Sequence, residues 1–147
     1  MFTPLTPDRR VERPTYAWIA VALELFTALG AIPFGLMLLS DTSGGAVGFK
    51  AGWIESTIFG SYLLPGLYLF AVNGLGMLVL AVLTVQRHRW APMLTGALGA
   101  GLVIWIGVQV LVMPEVSYLQ AIFGAIGVVL TVIGVAWLRR TGQPRIR

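Results

Sequence analysis

Apolar residues fall along this chain in four long blocks, Tyr16–Ser40, Tyr62–Val85, Trp90–Met113 and Tyr118–Leu138, separated by shorter polar stretches. A hydrocarbon core about 30 Å thick is crossed by roughly 20 apolar residues in a helix, so each block is long enough to span one. Within the first block Ala17, Val21, Glu24, Ala28, Ala31 and Gly35 recur at spacings of four, three, four, three and four, which places them on one helix face. The fourth block carries a matching stripe of Gln120, Gly124, Gly127, Thr131 and Gly134. The third presents Gly96, Ala100 and Gly107 on one side and Leu98, Leu102, Trp105 and Gln109 on the other. Small residues in such stripes let neighbouring backbones approach closely, so Ala28, Gly35, Gly96, Gly107, Gly124, Gly127 and Gly134 are expected to pack helix on helix. The pattern predicts an all-α fold, an antiparallel bundle of four transmembrane helices. The connections 86–89 and 114–117 are short enough to force neighbouring helices antiparallel. One helical domain is expected over residues 16–138, with tails 1–15 and 139–147 on either side.

The connection 41–61 is the long one. It opens on the run Asp41-Thr-Ser-Gly-Gly45 and then carries Phe49, Trp53, Ile54, Ile58 and Phe59 with neither helical nor alternating periodicity. It is expected to lie in the membrane interface or to cap the bundle. Tyr16, Trp18, Trp90 and Trp137 are placed to mark one membrane surface, and Tyr62 and Tyr118, with Trp53 nearby, the other. Pro92 falls in a first helical turn, where its missing N–H costs nothing. Pro33 frees the carbonyl of Leu29 and is expected to kink the first helix. That helix is too long for a signal sequence, contains Glu24 and Pro33, and is read as retained.

Charge adds an orientation. Arg9, Arg10, Arg13, Arg87, Arg89, Arg139, Arg140, Arg145 and Arg147 fall on one side of the predicted bundle, and only Lys50 lies opposite, beside Asp41, Glu55 and Glu115. The positive-inside rule makes both termini cytoplasmic and the long connection an outer loop. The net charge of +4 is then mostly a topology signal, with anionic headgroups on the cytoplasmic side as its partner and no nucleic acid implied. The expected location is a bacterial inner (plasma) membrane.

Few residues carry chemistry. Glu24 lies about 12 Å past Tyr16 at 1.5 Å per residue, where an ionisable group costs at least roughly 2.5 kcal/mol. The small residues on its face point it toward protein. Asn73, Trp105, Gln109 and Gln120 complete a thin polar seam. The amides of that seam are readable as interhelical hydrogen-bonding glue or, with Glu24, as a ligand or proton site. His88 is the only histidine and cysteine is absent. Metal ligation, cofactor binding and nucleophilic catalysis therefore find no residue set, and no enzyme is expected.

The segments Leu64-Pro-Gly-Leu67, Asn73-Gly-Leu-Gly76, Arg89-Trp-Ala-Pro92, Trp105-Ile-Gly-Val-Gln109 and Leu119-Gln120, together with Glu24, resemble a group of uncharacterised four-helix bacterial membrane proteins over roughly Trp18 to Leu138. This resemblance implies the topology and the polar positions, and no substrate. Ala20, Ala22 and Glu24 also look like the first helix of small multidrug resistance transporters, which implies four helices with a membrane-embedded glutamate about half-way into the first. Those proteins have short loops and little charge bias, unlike this chain. The first functional expectation is a non-catalytic accessory or structural subunit that packs against a membrane-protein partner or itself. The second is a small homo-oligomeric proton-coupled transporter or channel using Glu24. A lipid enzyme ranks behind both.

Overall fold

The computed structural model describes residues 11–141. Helix α1 spans Ala17–Ser40. A 3₁₀ turn, Gly45–Val47, and a single helical turn, α2 (Gly52–Glu55), follow in the connection. The second span is composite: α3 (Leu63–Tyr68), a π-helical segment Leu69–Gly76 and α4 (Met77–Val85) run on from one another. Helices α5 (Ala91–Val112) and α6 (Tyr118–Thr141) complete the chain, and no strand occurs among the described residues. The four spans hold 24, 23, 22 and 24 residues, long and apolar enough to cross a membrane. α6 runs three residues past the expected Leu138, so Arg139 and Arg140 sit in its last turn, where cations complement the helix dipole.

The bundle is two tight hairpins joined by a looser seam. In the first hairpin the whole predicted stripe of α1, from Ala17 through Glu24 to Gly35, is buried. A Cβ at Gly35 would lie 2.8 Å from the backbone nitrogen of Phe70, one at Gly66 2.8 Å from Leu38 Cβ, and one at Gly74 2.8 Å from Ile32 Cγ1. In the second hairpin a Cβ at Gly99 would lie 2.6 Å from the Thr131 nitrogen and one at Gly127 2.9 Å from the Gly99 carbonyl oxygen. One at Gly134 would overlap the backbone of Gly96. Gly124 faces Ile106 at ordinary contact distance.

Gly107 departs from its expected packing role: it is exposed, and a Cβ there would meet nothing. The α5–α6 contact line runs through Gly96, Gly99, Val103 and Ile106, and Gly107 lies one residue, about 100°, beyond it. Between the hairpins, large side chains replace glycines. Met77, Leu80, Leu102, Trp105, Ile126, Leu130 and Ile133 form one cluster with Ala20 and Ala28. Phe26 stacks on Phe123 at 5.8 Å between ring centroids, and Tyr68 stacks on Trp105 at 4.7 Å.

Both ends of the bundle are closed, and two aromatic residues expected at membrane surfaces turn inward to close them. At the end carrying the termini, Trp137 is 0% exposed against Ala17 and Ala91, and its indole N–H donates to the Glu12 carbonyl at 2.7 Å. It continues the buried stripe of Leu130 and Gly134 by a further three residues, so packing outweighs the interface. The segment before α1 is strapped across this end: the Val11 N–H donates to the Arg87 carbonyl at 2.9 Å and Arg13 to the Val85 carbonyl at 2.6 Å. Trp18, in contrast, is half exposed with the Arg13 guanidinium 4.2 Å above its ring.

At the loop end, Tyr62 is 2% exposed in a cluster with Leu38 and Ile54, and Phe34, Val47, Phe49, Phe59, Val112 and Met113 pack around it. Its hydroxyl donates to the Lys50 carbonyl at 3.2 Å. The long connection therefore caps the bundle. Gly44, at φ 85°, makes the turn that brings Phe49 onto Tyr62.

Candidate functional site in the seam between hairpins

Glu24 is 0% exposed, nearly two turns into α1. Its Oε1 accepts a hydrogen bond from Thr95 Oγ1 of α5 at 3.2 Å and lies 3.5 Å from Thr84 Oγ1 of α4. One carboxyl group thus joins three spans, from both hairpins. Thr84 Oγ1 also donates to its own helix, to the Leu80 carbonyl, at 2.8 Å. A hydroxyl has one proton to give, and the shorter bond takes it. The Thr84 oxygen therefore faces Glu24 chiefly as an acceptor, ready for a proton carried on the carboxyl group. Glu24 Oε2 is buried and without a partner, and among the described residues no basic side chain pairs with Glu24.

As a contribution to stability this arrangement is unfavourable. Placing a carboxyl group at this depth costs at least roughly 2.5 kcal/mol. Two side-chain hydrogen bonds inside a membrane return about 0.6 kcal/mol each, so the deficit stands.

The other expected seam residues divide. Asn73, 1% exposed, lies inside the π-helical segment, and neither its Oδ1 nor its Nδ2 has a partner. Trp105, 8% exposed, leaves its Nε1 equally unpaired while its ring stacks on Tyr68. Trp105 belongs to the seam between hairpins, as Glu24 does, and Asn73 lies on the buried side of the second span. Gln120 does not: its Oε1 accepts from the Ser117 N–H at 3.1 Å, while Ser117 Oγ accepts from the Leu119 N–H at 3.2 Å. This is the reciprocal capping of a helix N-terminus, with Gln three residues after Ser. Gln109 lies half-buried at the loop end of α5. His88 is exposed in the α4–α5 turn, where its Nδ1 accepts from the Trp90 N–H at 3.2 Å.

Sequence reasoning missed Thr84 and Thr95 as partners of Glu24. Their signal is faint, since a threonine in an apolar helix satisfies itself on its own backbone, as Thr27 and Thr131 do. Comparison with protein-family models, curated proteins and solved structures returned no match.

Proposed function

We propose that this is a non-catalytic integral membrane protein that binds and releases a proton, or a small cation in its place, at Glu24. In this reading it serves as a small transporter or channel, homo-oligomeric where a pathway needs more than one bundle. The observation that carries the reading is the fully buried, uncompensated Glu24 carboxyl, held by Thr84 and Thr95 where the two hairpins meet. A carboxyl that costs more than its hydrogen bonds return needs a use, and reversible protonation is the one its threonine oxygens support. Among the described residues no histidine, lysine or second carboxyl joins Glu24 and its two threonines, so bond-making chemistry is not proposed.

Arg13, Arg87, Arg89, Arg139 and Arg140 lie at the terminal end, and Lys50 with Asp41, Glu55 and Glu115 at the other. This distribution supports cytoplasmic termini, an outer loop, and contact of the basic end with anionic headgroups of a bacterial inner membrane. The competing reading is an accessory subunit with a membrane-protein partner, which would need small-residue faces left open for that partner. Gly35, Gly96, Gly127 and Gly134 are occupied within the hairpins, and only Gly107 of the expected set faces outward. Lipid suffices to cover exposed Leu111 and Ile104 on the same helix.

The test is Glu24→Gln in proteoliposomes under an imposed pH gradient, read with an enclosed pH-sensitive dye. Gln keeps an acceptor for Thr95, so stability should change by no more than about 1 kcal/mol. Proton flux should fall to the level of empty liposomes. Flux equal to the parent protein's would sink the proposal. Should Glu24→Gln not fold, Thr95→Val removes the donor while keeping the shape, and flux with a shifted pH profile is then the expected result.

A further inference from the structure

Asn73 and Trp105 are unpaired for a reason separate from Glu24. Thr95, beside Glu24, and Trp105 are ten residues apart on α5, about 15 Å along the axis. Between those levels lie Ala28, Met77, Leu102 and Leu130, all fully or almost fully buried and all apolar. Thr27, buried beside Ala28, gives its proton to the Leu23 carbonyl at 2.8 Å. The two polar places are therefore divided by a largely apolar layer, and Asn73 and Trp105 are not partners of the carboxyl group.

They lie on the two elements, the second span and α5, that the Tyr68–Trp105 stack brings together. Helical side chains lean toward the N-terminus of their own helix. The second span and α5 run antiparallel, so Asn73 leans toward the loop end while Trp105 leans away from it. The Tyr68–Trp105 stack fixes the register, and Asn73 follows Tyr68 by five residues, about one turn of the π-helical segment. π-Helical segments are rare and occur often at functional sites. Here Asn73, Gly74 and Gly76, poor helix formers all, make one eight residues long.

We infer that Asn73 and Trp105 form a second, uncharged binding site in the loop half of the bundle, for hydroxyl groups: water or a small alcohol. The unpaired atoms are two nitrogens, Asn73 Nδ2 with two N–H donors and Trp105 Nε1 with one, and one acceptor, Asn73 Oδ1. A hydroxyl oxygen accepts from two donors and its own proton serves an acceptor, so one hydroxyl group gives each of the three atoms a partner and two satisfy every N–H. Buried polar atoms in folded proteins are nearly always paired, with ordered water if with nothing else, and leaving each bare costs about 1–3 kcal/mol. Among the described residues no charged side chain pairs with either group, and the apolar side chains clustered with Trp105 suit the carbon skeleton of a small alcohol. The inference is independent of the role of Glu24.

The test uses the full chain in lipid nanodiscs with ¹⁵N-labelled tryptophan. The protein has five tryptophans, hence five indole N–H signals. Trp105→Phe assigns the relevant one, or elimination with Trp18→Phe, Trp53→Phe, Trp90→Phe and Trp137→Phe does so should that variant not fold. The expected result is a through-space cross-peak from Trp105 Nε1–H to water protons, which assigns water. A cross-peak to the methylene protons of added ethylene glycol assigns an alcohol. Asn73→Leu, or Asn73→Ala should the first not fold, should abolish either contact. A Trp105 N–H without contact to water or glycol overturns the inference, and so does a contact that survives loss of the Asn73 amide.

Discussion

A single methyl group separates two glycines of α5 that are alike in sequence. Gly99 sits against the backbone of α6, where an added Cβ would come within 2.6 Å of the Thr131 nitrogen, and backbone cannot yield as a flexible side chain does. Gly99→Ala should cost about 1–3 kcal/mol through overpacking. Gly107 meets nothing, and Gly107→Ala should be neutral or stabilising by at most about 1 kcal/mol from helix propensity. Unfolding titrations of both variants in mixed micelles check the pair. Equal effects would mean that the α5–α6 contact line is misplaced. The stripe drawn through Gly96, Ala100 and Gly107 takes in one and not the other, because periodicity gives a residue's angle on its own helix and not the neighbour's position.

At the scale of elements, the long connection shows how little local pattern it needs to be ordered. Its aromatic residues follow no period, yet Phe49 and Tyr62 lock it over the bundle. The Asp41 carboxyl holds its first turn, accepting from the Ser43 hydroxyl and N–H and from the Ala46 N–H. These bonds, the Ser43 hydroxyl first, keep the Asp41 carboxyl below the ordinary aspartate range. A carboxyl with a lowered value in the folded state adds order above its ordinary range, and that order is lost as pH falls through the lowered value. The cap should therefore loosen on strong acidification, seen as a change in Trp53 fluorescence. In Asp41→Ala it should be loose throughout, with a flat acid titration. A parent-like acid transition in that variant would assign it elsewhere.

At the scale of the whole molecule, close backbone approach lies within each hairpin, and bulky side chains fill the space between them. Cutting the chain between Arg87 and His88 should leave two halves that insert and pair when co-expressed. In rising detergent the halves should separate before helix content falls, as followed by affinity pull-down beside circular dichroism. Simultaneous loss of association and helix would show a single cooperative bundle instead. The seam is also where Glu24 and Trp105 lie, so the loosest packing and these polar groups coincide.

The sequence by itself determined the four spans and the buried stripe of α1, Glu24 included, because hydropathy and a 3.6-residue period are local properties that any helix in a membrane must obey. Tertiary structure alone decided what each stripe meets. Glu24 finds Thr84 and Thr95 from 60 and 71 residues away, and nothing in the local pattern of either threonine announces it. Gln120 belongs to the cap of its own helix, although its spacing fits the stripe equally well. Trp137 and Tyr62 leave the membrane surface for the interior because the ends of the bundle need large side chains to close them. A linear pattern fixes which face of a helix turns inward. Which atoms then share that interior depends on how four such faces are set against one another.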